Sequence, residues 1–139
     1  MNRNMVRIMT ACPGAFVAFA AFAAFVALAA AAPARADLVE LVWKDGRFER
    51  TVTVAPGKFA EVCGPLRGGQ AVTWSFDAEA PLNFNIHYHV GKDVHYPARQ
   101  DQVARLQGEL PVNAAQDYCW MWTNKGSKPA RMDLLLQLK

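Results

Sequence analysis

The chain's candidate chemistry concentrates in one short stretch. All three histidines, His87, His89 and His95, fall within nine residues. His87 and His89 flank Tyr88, so on an extended strand they project from one face, roughly 6.6–7 Å apart. The turn that follows decides where His95 goes. With Gly91-Lys92-Asp93 as a three-residue loop, Val90 pairs with Val94, His89 with His95 and Tyr88 with Tyr96. All three imidazoles then share a face. A two-residue loop turns His95 to the other face. The three-residue register buries Tyr88, Val90, Val94 and Tyr96 together. A slip by one residue carries Val94 and Tyr96 to water, at roughly 1.5–3 kcal/mol each. The expectation is therefore a three-histidine face with His89 opposite His95. Such a face can hold Zn²⁺ or Cu²⁺. The plainer alternative is a solvated face carrying histidines beside Asn85.

A second stretch is Tyr118-Cys119-Trp120-Met121-Trp122. Alternation puts Cys119 and Met121 on one face and Tyr118, Trp120 and Trp122 on the other. If Cys119 is bridged between two sheets, Met121 is core and the three aromatics form an outer binding patch. The alternative is that loops, or the strand holding Trp43, cover them as a second small core. Thioether and indole groups suit copper(I), so Met121 with Trp120 or Trp122 completes a copper site if this strand neighbours the histidines.

What surrounds these residues limits the chemistry. Residues 1–36 hold three of the fifteen Lys+Arg and none of the twelve Asp+Glu. Arg3 and Arg7 precede an uncharged run from Ala15 to Ala32, and Ala34-Arg35-Ala36 forms a small-residue cleavage site. The reading is a signal peptide over 1–36, cleaved near Ala36/Asp37, and a single domain over 37–139 in the periplasm or secreted. The competing reading is an uncleaved membrane anchor. No transmembrane segment is expected in the mature chain. Its charges balance at twelve basic and twelve acidic, which removes the simplest case for nucleic-acid binding.

The mature chain keeps two cysteines, Cys63 and Cys119. An even pair in an oxidising compartment reads as one disulfide. The chain-entropy model makes so long a loop worth roughly 4 kcal/mol. Two thiols holding a soft metal are the alternative. The two mature serines, Ser75 and Ser127, lie outside any G-x-S-x-G, and P-loop, G-x-G-x-x-G and H-E-x-x-H patterns are absent from the sequence. The chain reads as a non-enzyme.

The positioning elements read as strands. Alternating segments at 37–44, 50–54, 58–63, 71–77, 84–90, 94–96, 118–123 and 131–138 are separated by Asp45-Gly46, Pro56-Gly57, Gly68-Gly69, Pro81, Gly91 and Asn124-Lys125-Gly126. Val72, Trp74 and Phe76 face inward, as do Phe84, Ile86 and Tyr88. Pro97 to Leu110 is the segment with least pattern; Val103 and Leu106 suit a short helical face. Seven or eight short strands about ten residues apart mean an all-β fold, an antiparallel β-sandwich.

From Thr51 to Leu138 the chain resembles the GOLD domain of p24/emp24 secretory proteins and lipid-binding Sec14-like proteins, as a bacterial exported version. The carrying residues are Glu61-Val62-Cys63-Gly64, Gly69, Val72 to Phe76, Phe84-Asn85-Ile86, Gly108-Glu109-Leu110 and Tyr118 to Asn124. The last is similar to the family's Tyr-x-Phe-Cys-Phe-x-Asn, with Tyr118 directly before its Cys. The resemblance implies a GOLD or jelly-roll-like sandwich, a Cys63–Cys119 bridge and a non-catalytic adaptor role. Two functions follow: an exported module recognising a protein or lipid-like partner through Tyr118, Trp120 and Trp122, or a small periplasmic copper- or zinc-binding protein using His87, His89 and His95.

Overall fold

The computed structural model describes residues 37–139, and the expected leader and its cleavage site lie outside them. The described residues form seven strands and no helix: β1 (Asp37–Glu40), β2 (Arg47–Val54), β3 (Phe59–Leu66), β4 (Ala71–Val90), β5 (Asp93–Pro111), β6 (Gln116–Thr123) and β7 (Ala130–Leu138). Their order is β1-β3-β6-β4-β7-β2, with β5 on the remaining edge of β4. All pairings are antiparallel except β1 with β3, which run parallel. The all-β sandwich expected from the turn spacing is the architecture found.

Two strands are not short. β4 spans 20 residues and β5 spans 19. Pro81, read as a loop, lies inside β4, and the segment 97–110, open to a helical reading, lies inside β5. The first half of β4 pairs with β7 through Val72 to Ala78, and the second half pairs with β6 through Asn83 to His87. One strand thus serves both layers. The change of layer falls at a register shift between Asp77 and Leu82, where bulged β4 residues turn the corner. Pro81 sits in that bulge, where its missing N–H costs no ladder bond. On β5 the matching irregularity is Gln102, at φ 53°. Its backbone N–H and side-chain amide both donate to Asn83 Oδ1, at 3.1 and 2.8 Å.

The alternation read from sequence sets the core. Val72, Trp74, Phe76, Phe84, Ile86, Met132, Leu134 and Leu136 are all buried. Phe84 lies 4.8 Å from Trp74, 5.1 Å from Phe76 and 5.5 Å from Trp122, ring centre to ring centre. Gly108 is required where β5 crosses Trp74, because a Cβ there would stand 2.6 Å from the indole. Asn124 closes the end of β6. Its buried amide donates to Val54 O at 2.9 Å and Lys128 O at 2.8 Å, and its Oδ1 accepts from Gly126 N–H at 2.8 Å.

Candidate functional site

Cys63 and Cys119 are bonded, as expected, with Cα atoms 4.1 Å apart. The bridge does not cross between layers. It joins directly opposed residues of neighbouring strands, β3 and β6. This places the bridge on the outward side of the sheet and inverts the expected roles on β6. Trp120 and Trp122 are fully buried, and Tyr118 is 2% exposed. They are neither an outer patch nor a second small core but part of the main core. Met121, expected inside, is half-buried on the outer face between Glu61 of β3 and Asn85 of β4.

The same outer face carries two of the three histidines. His87 stands beside Cys119 in the β4–β6 ladder, and its ring centre lies 5.3 Å from that of His89. The third is elsewhere. The hairpin turn has two residues, Gly91-Lys92, with Val90 paired to Asp93, His89 to Val94 and Tyr88 to His95. Gly91 has the positive φ, 60°, that a glycine-first two-residue turn needs. His95 therefore faces the Tyr88 side and stacks on that ring at 4.9 Å and 11°. The expected three-histidine face does not form. The burial argument failed because the hairpin runs past the last β4–β6 pair, His87–Cys119, so no second layer covers its end. Val90, Val94 and Tyr96 are 47%, 39% and 51% exposed, and burying them never selected the register.

Glu61 is the residue the sequence reading missed. Its carboxylate reaches across β6, and Oε1 lies 3.0 Å from His87 Nε2. His87 Nδ1 is 2.9 Å from Asn85 Oδ1, so that nitrogen is the one carrying hydrogen. Burial raises the Glu61 pKa, partly offset by the positive charge available on His89. Burial lowers the His87 pKa, and His89 pushes it the same way. Both shifts favour a neutral pair in which the carboxyl donates to Nε2. A signal was available: once Cys63 opposes Cys119 in an antiparallel ladder, Glu61 must oppose Met121.

On the inner side of the hairpin, Tyr88 also packs on Tyr118 at 4.9 Å. Tyr118 donates to Ala114 O at 3.1 Å. Tyr88, His95, Pro97, Asn113 and Tyr118 line an open groove of about 420 Å³. Tyr118, a member of the expected aromatic patch, thus reaches a cavity.

No protein-family model and no curated protein matches the chain. Solved structures do. The periplasmic inhibitor of g-type lysozyme PliG from Aeromonas hydrophila superposes with a TM-score of 0.61 at 15% identity, over 76% of this chain and 98% of that one. PliG from Salmonella Typhimurium gives 0.56 at 15% identity, over 74% and 99%. The pre-peptidase C-terminal domain of a Bacillus anthracis collagenase gives 0.52 at 12% identity, over 78% and 98%. None of these structures is described as a GOLD domain. At these identities the likeness establishes a shared β-sandwich fold.

Proposed function

We propose that this chain is an exported, non-catalytic binding module that engages a protein partner through the end of the β4–β5 hairpin. The observation that carries this reading is the exposure of Val90, Val94 and Tyr96 on a hairpin that outruns its sheet. Large apolar side chains held on two paired strands contribute contact area with less ordering cost than on an unpaired loop. On the Tyr88 side of the same hairpin, the groove with Tyr88, His95 and Tyr118 gives a partner side chain a place to insert. Export is supported by the leader-like segment before Asp37. The fold it shares with two periplasmic lysozyme inhibitors favours a protein over a lipid-like ligand and names g-type lysozyme as the first partner to test.

The test mixes the purified protein with a g-type lysozyme and follows both complex formation and lysis of peptidoglycan. An equimolar complex that blocks lysis, weakened tenfold or more by Val94→Glu or Tyr96→Ala, is the expected result. No complex and no inhibition from folded protein rejects this partner. Unchanged affinity in both variants rejects the hairpin as the contact surface.

A further inference from the structure

The outer face of β3, β6 and β4 holds a cluster that partner binding leaves unexplained. Glu61 and His87 belong to strands separated by β6, and neither completes the core. Their side chains nevertheless meet over β6, between Cys119 and Met121. A buried histidine facing a carboxylate, with its other nitrogen held by an amide oxygen, is the arrangement that orients a metal-ligating imidazole. His89 stands next to it on the same face and is exposed, so its ring is free to turn inward.

We propose that Glu61, His87 and His89 bind a divalent copper ion, with the Met121 thioether flanking it. The donor set and the neighbouring thioether point to copper. The donor set is two imidazoles and one carboxylate, a borderline set for which copper(II) has the highest affinity of the first-row divalent ions. The Glu61 and His87 donors already stand 3.0 Å apart, so both can reach one ion once the proton between them leaves. Met121 lies in register between Glu61 and Asn85, and its thioether is of the kind that serves copper as a weak axial ligand. The Cys119 sulfur also lies within 4.8 Å of the Glu61 and His87 donors. Its bond to Cys63 leaves it no thiolate, so it is a wall of the site.

The experiment titrates the purified, disulfide-bonded protein, free of any histidine tag, with Cu²⁺ and separately with Zn²⁺. Calorimetry gives affinity, and electron paramagnetic resonance gives the ligand set. The expected result is one Cu²⁺ per chain, an axial spectrum with nitrogen hyperfine structure, and Zn²⁺ binding at least tenfold weaker. Glu61→Gln and His89→Ala, the latter at an exposed position that leaves the core intact, each weaken Cu²⁺ tenfold or more. His95→Ala, on the opposite face, leaves affinity unchanged. Absence of binding at one equivalent overturns the site. So does equal or tighter Zn²⁺ binding, a loss in His95→Ala matching that in His89→Ala, or full affinity in Glu61→Gln.

Discussion

The two faces of β6 differ in what their residues answer to. The inward face, Tyr118, Trp120 and Trp122, packs into the core, with the Trp122 ring centre 5.6 Å from that of Phe76 and 5.5 Å from that of Phe84, its neighbour in the ladder. The outward face, Cys119 and Met121, lies in register with Cys63 and Glu61 on one side and His87 and Asn85 on the other. One face is specified by volume and the other by polar partners and a covalent bond. Substitutions on the first should therefore cost stability. Those on the second should change chemistry and pH response while the fold persists, with the disulfide as the exception.

The largest expected effect is on the inward face. Trp122→Ala removes a fully buried indole and should cost about 3–5 kcal/mol, measured by denaturant unfolding. A cost under 1 kcal/mol would mean that the layer collapses freely and that the face is not specified by volume. Next is the bridge. Replacing Cys63 and Cys119 together by alanine should cost about 2–4 kcal/mol, since the link spans a separation of 56 residues. Unfolding midpoints of the oxidised protein and the double variant measure it, and no change would count the bridge as chemistry alone.

A smaller effect separates the faces by pH. Glu61 is raised above its ordinary value of 4.5 by burial, so the folded chain holds that proton where the unfolded chain has released it. Wild-type stability therefore falls as pH rises from about 4.5 through the folded value. His87 is lowered from 6.5, so stability falls as pH drops from about 6.5 through its folded value. Glu61→Gln keeps a donor for His87 Nε2 and carries no charge. It should raise the melting temperature at neutral pH and remove the loss on the alkaline side, while the His87 loss on the acid side stays. Melting curves from pH 4 to 8 check both slopes. The smallest effect belongs to Met121→Leu, which conserves volume on a half-buried outer position and should stay below about 1.5 kcal/mol in unfolding experiments.

The strands themselves were legible along most of the chain, because alternation with a period of two is a local property. Val72, Trp74 and Phe76 fall on the inner side of their segment as read, and so do Phe84 and Ile86. Pro81 misled because proline usually ends a strand; here a bulge absorbs it. The stretch after Pro97 has little alternation because most of β5 is exposed, so no burial imprinted a pattern on it. At the site, His87, His89 and Met121 were readable as donors by type. Glu61 was not, since its partner comes from a strand two places away and 26 positions later in the chain.

By itself the sequence determined the all-β class, the pairing of Cys63 with Cys119 and, where alternation is clear, which residues share a side of a strand. Which side is inside was left to the tertiary structure wherever both sides were apolar enough to bury, as on β6. There the Cys63–Cys119 bond formed within one sheet, pointing outward, and sent the tryptophans to the core. The hairpin register was likewise decided in three dimensions. Burial energy discriminates between registers only where a second layer exists to bury against, and past His87 there is none. The two-residue Gly91-Lys92 turn then prevailed, leaving two histidines beside Glu61 and sending the third to the groove.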